Sequence, residues 1–296
     1  MTVFLHVGQC GISLAQDLWS VAYADHIASA YASPLFHADG SARCILVDTE
    51  PKVIQSLRLN AALHRNANDT RSDDTVAPSV SDTKQSSSST IFRGSNVFYE
   101  QYGRGNNWAM GYAGPHFEEQ ASADDVGAGS GKRSLTSRTL ESMRKEAERC
   151  DVFTGCVMTH SVSGGTGAGL GSRLLQSLRT EYPKACLLDV AVTPFRAGDT
   201  PLQHFNALMT LSHLHEFADA VLMFSNEDVL GVLKHSLTYL PSKVGGSKAA
   251  RISFANINQY IARALSDVLF PTEVLSYYDD PAWKPVNRYV SSLLLC

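Results

Sequence analysis

Five of the chain's 21 glycines fall within twelve residues, 161 to 172, in the run SVSGGTGAGLGS, which follows an apolar stretch and precedes a helical pattern. Glycine lets backbone amides approach a ligand closely, and the first turn of a helix adds unpaired N–H groups and a positive dipole end. The chemistry this suits is the binding of a di- or triphosphate. A plain strand-to-helix turn is the alternative, although such a turn needs only one or two glycines. Two further polar clusters sit just past apolar runs: Gly8-Gln9-Cys10-Gly11 after residues 3–7, and Asp48-Thr49-Glu50 after residues 44–47.

Spacing separates one kind of phosphate loop from another. A Walker loop needs GxxxxGK[ST], and no Lys occurs between Lys145 and Lys184. A dinucleotide fingerprint needs GxGxxG directly after the first strand, where this chain has Gly8-Gln9-Cys10-Gly11. A nicotinamide enzyme is therefore the weaker reading. Ser161 lacks the GxSxG elbow of α/β hydrolases. His213 and His215, two apart on a helical pattern, point to different faces and make a poor metal pair. The six cysteines include no CxxC, so they read as reduced, mostly buried thiols rather than a zinc site or a disulfide framework.

The elements that must position these residues alternate. Residues 3–7, 44–47, 152–160, 185–192 and 220–224 read as strands. Residues 12–30, 136–150, 170–180, 202–215, 226–240 and 252–269 carry apolar residues at helical spacing. Sustained alternation predicts an α/β fold: a mainly parallel sheet with helices on both faces, whose ligands bind beyond the carboxyl ends of the strands. Residues 65–95 and 120–134 turn polar and small, so they read as mobile insertions in a domain spanning 1–270. Residues 271–296 form a short tail, and no internal repeat is found.

Composition excludes the extremes. The chain has 296 residues, 44% hydrophobic and 18% charged, enough for a sizeable core and against disorder throughout. Its net charge of −4 leaves no bulk electrostatic footprint for nucleic acid or an anionic membrane, although a local basic patch stays open. Neither a signal peptide nor a membrane span is readable at the amino terminus, which points to the cell interior.

At this point the chain resembles the tubulin family. The family's GGGTGSG loop is matched by Ser163-Gly164-Gly165-Thr166-Gly167-Ala168-Gly169, and four segments agree in order: Gly8-Gln9-Cys10-Gly11, Val47-Asp48-Thr49-Glu50-Pro51, Gly105-Asn106-Asn107-Trp108-Ala109 and Ser225-Asn226-Glu227. Within the family it looks most like the delta branch, through Asp48 to Ile54, Gly105 to Tyr112 and Leu211-Ser212-His213-Leu214.

The resemblance implies a three-layer, Rossmann-like nucleotide-binding domain that takes GTP or GDP with Mg²⁺. Gly8, Gln9 and Cys10 would form the first nucleotide loop. Asp48 and Glu50 would lie near the magnesium through its waters, with a solvated acidic turn as the bland alternative. Gly105, Asn106 and Asn107 would approach the terminal phosphate, with an ordinary Asn-containing turn as the bland alternative. Ser161, Gly164, Gly165, Thr166 and Gly167 would wrap the phosphates, and Asp199 would reach the ribose side. Asn226, Phe254 and Asn258 would read guanine, against the simpler reading of a core Phe followed by a capping Asn. It further implies a cytoplasmic, cytoskeletal protein at centrioles or basal bodies, with other tubulins or microtubule ends as partners.

Departures bear on this transfer. Ser163 replaces a glycine, Phe254 a tyrosine, and Gln203 an acidic ribose contact of the alpha and beta members. The GxLNxDxxE loop that supplies an acid to a neighbouring subunit has no counterpart after Phe270, so the chain reads as truncated relative to a full tubulin. A free-standing cofactor enzyme and a non-binding tubulin-like scaffold remain the alternatives.

Overall fold

The computed structural model describes residues 1–28, 34–57, 91–114, 134–198, 200–239 and 252–270. Their elements run β1 (Thr2–Val7), α1 (Gly8–Ala28), β2 (Cys44–Asp48), β3 (Val97–Tyr99), α2 (Trp108–Ala113), α3 (Leu135–Glu148), β4 (Gly155–Ser161), α4 (Gly171–Glu181), β5 (Cys186–Thr193), α5 (Gln203–Phe217), β6 (Ala220–Ser225), α6 (Asn226–Tyr239) and α7 (Phe254–Leu269). Residues 52–57 are also helical. The six strands form one sheet in the order β3-β2-β1-β4-β5-β6, with every pair parallel.

Parallel strands are covered on both faces, so alternate side chains serve two cores. Phe4, Cys44, Leu46, Val157, Val190 and Val192 belong to one cluster, which α1 and α7 close with Ile12, Ala15, Leu18, Trp19, Ile257, Ile261 and Leu265. Val3, Leu5, Val7, Ile45, Val47, Met158 and Ala191 belong to the other, closed by Met143 of α3, Leu174 and Leu178 of α4 and Leu214 of α5. This is the expected three-layer arrangement. Fully burying one such large side chain contributes about 1.5–3 kcal/mol.

Polar groups inside the sheet are paired. Trp19 Nε1 donates to His6 Nε2 at 2.9 Å, which leaves His6 Nδ1 for the Thr159 hydroxyl at 2.6 Å. Burial pushes His6 down to about 3, so the ring stays neutral and can accept from the indole.

Several boundaries differ from the sequence reading. α1 starts at Gly8 rather than Ile12, the turn after β1 being made by Gly8 itself with φ 74°. β4 begins at Gly155, since the exposed residues 151–152 cannot join a strand buried on both faces. A π-helical turn, Thr166–Leu170, precedes α4. β3 and α2 were not foreseen, being short elements of three and six residues.

Of the expected insertion at 65–95, residues 91–95 are described and join the fold: Ala42 N donates to the Ile91 carbonyl, and Ile91 and Phe92 pack on the core. The rest of that insertion, all but Ser134 of the one at 120–134, and the tail 271–296 lie outside the described residues. Of the described thiols, Cys44 and Cys156 are buried while Cys10, Cys150 and Cys186 are half-buried, and Cys296 lies outside the described residues.

Candidate functional site

The sheet's strand order reverses direction between β1 and β4, and the crevice beyond the carboxyl ends of such strands is where ligands of parallel α/β sheets bind. Gly8 follows β1 there, with φ 74°. A Cβ on Gly8 would stand 2.9 Å from the Gly167 nitrogen and 3.6 Å from Thr166 Cβ. Only glycine allows both that conformation and that approach. α1 begins at the same residue and has no acidic side chain in its first turn, so its leading N–H groups keep their positive end uncompensated. Gln9 is exposed beside them. Burial pushes the Cys10 thiol up to about 12, which keeps it neutral.

The end of β2 supplies the second wall. Asp48 is buried, and its Oδ1 accepts the Thr49 N–H at 2.7 Å. The Thr49 and Thr166 hydroxyls meet at 2.5 Å, joining this turn to the glycine-rich loop. Burial raises the Asp48 carboxyl to about 6, the Glu50 charge adds to the rise, and the N–H groups of Thr49 and Glu50 offset part of it. Glu50 is exposed, so a solvated acidic turn describes Glu50 and not Asp48. Among the described residues no three metal-ligating side chains cluster. Mg²⁺ prefers oxygen donors and keeps several waters. A buried carboxylate short of a positive partner, with an exposed one two residues on, fits a water-mediated Mg²⁺.

The glycine-rich loop and the loop before α2 form the third wall. Ser163 N donates to Ser161 Oγ at 3.3 Å, and the two serine hydroxyls lie 3.0 Å apart. Gly164 faces open space, with nothing within 4 Å of a Cβ placed there. At Gly165 the two loops touch: a Cβ would stand 2.9 Å from the Arg104 carbonyl oxygen and 3.0 Å from the Asn107 nitrogen. Gly105 and Asn106 follow with φ 55° and 51°, and both are exposed. Asn107 then caps α2, accepting the Ala109 N–H at 3.0 Å.

The remaining candidates sit at the ends of β5 and β6. Asn226 opens α6 directly after β6 and is half-buried. Phe254 is 66% exposed and meets the ring of Phe195, just beyond β5, edge-on at 5.8 Å. It is therefore no core residue. Asn258 lies one turn along α7, and the capping role falls to Asn256, whose Oδ1 accepts the Ser253 N–H at 2.9 Å. Gln203 is buried against Gly198. Asp199 lies outside the described residues.

Close contacts thus link Gly8, Thr166, Gly167, Gly165 and the 104–107 loop, with Asp48 joined through Thr49. Gln9, Cys10, Asn226, Phe254 and Asn258 share the same sheet edge by the positions of their elements. Two features escaped the sequence reading. Asn206 of α5 hydrogen-bonds both phosphate-side loops, and no local pattern marks it. His160 and Asp189 form a wholly buried pair beneath the glycine-rich loop, Nε2 lying 3.0 Å from Oδ2. An Asp in the apolar strand CLLDVAVT needs a partner, and that signal was available.

The family model for the Tubulin/FtsZ family, GTPase domain, matches residues 2–234. The chain belongs to this family. The tubulin delta chain of Homo sapiens is 31% identical over 233 residues, covering 78% of this chain and 40% of that one. The delta chain of Canis lupus familiaris is 27% identical over 290 residues, covering 91% and 53%. The tubulin beta-3 chain of Zea mays is 28% identical over 288 residues, covering 90% and 53%. This tubulin-family chain therefore spans about half the length of the curated relatives it matches, or less. Its sheet and glycine-rich loop are those of a tubulin-like GTP-binding protein. No helix among the described residues is long and apolar enough to cross a membrane.

Proposed function

We propose that the crevice beyond β1, β2 and β4 binds GTP or GDP with Mg²⁺. The observation that carries this reading is the open face at Gly164, flanked by the start of α1 at Gly8 and by the exposed Gly105-Asn106 turn. Backbone amides of Gly8 to Cys10 and of Ser161 to Gly167 hold the phosphates, a task suited to helix amino termini and glycine backbones. Gly105 and Asn106 meet the terminal phosphate. Asp48 and Glu50 hold waters of the magnesium, which supplies a positive charge against the phosphate oxygens. Phe254 offers its exposed face to the base, Asn226 and Asn258 offer amides to its exocyclic groups, and Asp199 takes the ribose side.

A GTPase of this kind completes hydrolysis at a subunit contact, where a neighbour supplies the acid that orients water. The isolated chain is then a weak GTPase at most. Similarity to delta chains supports a cytoskeletal role beside other tubulins or microtubule ends, at centrioles or basal bodies and in triplet assembly.

The test is to purify the chain without added nucleotide, denature it, and identify released nucleotide by chromatography, with Thr166→Ala and Asn258→Ala as controls. Release of GDP or GTP, lost in both variants, is expected. A folded protein that releases none and takes up none with added GTP and Mg²⁺ is a tubulin-like scaffold instead.

A further inference from the structure

The nucleotide reading gives no role to a buried side chain that touches both phosphate-side loops. Asn206 lies in the first turn of α5 and is 3% exposed. Its Oδ1 accepts the Trp108 N–H at 2.9 Å, while its Nδ2 donates to the Asn106 carbonyl at 2.7 Å and to the Ser163 carbonyl at 2.8 Å. Trp108 N can only donate and the two carbonyls can only accept, so the orientation of the carboxamide is fixed by its partners. One side chain thus uses both amide hydrogens and its oxygen to tie the loop before α2 to the glycine-rich loop.

The place of the tie matters. Asn106 is the one non-glycine residue with positive φ among those described, and it follows Gly105, also left-handed. Left-handed backbone is unfavourable for a residue with a Cβ and persists where its surroundings hold it. Asn206 holds it through the Asn106 carbonyl. On the other side the loops are in contact at Gly165, leaving exposed Gly105-Asn106 and open Gly164 to face the crevice.

We propose that Asn206 is a positioning residue that sets the gap between these two loops and so determines how strongly the site prefers a triphosphate over a diphosphate. This rests on the nucleotide reading above. Phosphates held by residues 161–167 and by the start of α1 are common to both nucleotides. Only the outermost phosphate reaches the turn that Asn206 fixes.

The experiment compares Asn206→Asp with the unaltered chain. Aspartate keeps the size and the acceptor for Trp108 N but replaces both donors with an oxygen facing two carbonyls. Affinities for GDP and for guanylyl imidodiphosphate are measured with Mg²⁺, alongside thermal unfolding without nucleotide. Affinity for the triphosphate analogue is expected to fall about tenfold or more, and that for GDP less than about threefold. Equal loss for both nucleotides, or no loss in a folded variant, overturns the proposal.

Asn206→Ala, which removes the tie without adding charge, is read the same way. A measurement on the unaltered chain needs no variant: hydrogen exchange at the Trp108 amide is expected to slow more with the triphosphate analogue than with GDP, and equal protection overturns the proposal. Failure of the nucleotide reading looks different, since the unaltered chain then binds neither nucleotide.

Discussion

The hydroxyls of Thr49 and Thr166 meet at 2.5 Å, so the turn after β2 and the glycine-rich loop after β4 are joined directly across the end of β1. The contact lets the acidic turn and the phosphate loop keep a common register. Thr49→Val keeps the shape and removes the bond. It is expected to destabilise the fold by about 1 kcal/mol and to weaken nucleotide binding by about tenfold. Denaturant unfolding beside a GDP titration checks both parts, and undiminished affinity would count against the shared register.

Glycines of the loops separate folding from binding. Gly164→Ala adds a methyl group into open space, so unfolding temperature stays unchanged while nucleotide affinity falls, because the methyl occupies the ligand's side. Gly111→Ala drives a Cβ into the Gly165 carbonyl oxygen, and overpacking of that kind costs about 1–3 kcal/mol. Thermal melts with and without GDP give opposite patterns for the two variants.

Asp48 makes the nucleotide-free protein sensitive to acid in an unusual direction. Its carboxyl, near 3.9 in the unfolded chain, is raised to about 6 by burial, so the folded state holds the proton more tightly. Its contribution therefore favours folding below about pH 4 and is lost as pH rises to 6, on the order of 3 kcal/mol at neutrality. Asp48→Asn is expected to stabilise the nucleotide-free protein at pH 7 and to flatten its pH profile between 4 and 6. The same variant should weaken the dependence of nucleotide binding on Mg²⁺.

The His160–Asp189 pair acts in the same direction, over a higher pH range. Burial lowers His160, but the Asp189 charge and hydrogen bond raise it further, and the net direction is upward. Its stabilisation is complete below the ordinary histidine value of about 6.5 and fades as pH rises through the raised value. Asp189→Ala leaves a buried imidazole unpartnered and is expected to cost about 3–5 kcal/mol at pH 6, and less at pH 9. Chemical denaturation at the two pH values measures the difference.

The alternation of strands and helices was legible because the longer strands are mostly apolar runs and the longer helices carry apolar residues at helical spacing. Val3 to Val7 and the α7 positions Ile257, Ile261 and Leu265 illustrate the two periods. β3 was not legible: three half-buried residues at a sheet edge carry too little pattern. The phosphate-side glycines were readable since their crowding has no other use. Thr49 and Asn206 act across chain separations that no local window contains, and their roles appear only when the loops are assembled. The exposure of Phe254 likewise depended on what α7 packs against, which is why a core Phe was a fair reading of its spacing.

Trp108 gives this molecule an optical readout of its own loops. Its indole stacks on Tyr112 at 4.6 Å and donates to Ser172 Oγ at 3.2 Å, two residues beyond Asn106. Trp19 is sealed at the opposite face of the sheet, bonded to His6 and shielded from solvent. One indole is thus coupled to the turn at the crevice and the other is insulated from it. With the third tryptophan, Trp283, replaced by Phe, emission from the pair carries an internal reference, and a phosphate settling against residues 105–106 changes the signal of only one.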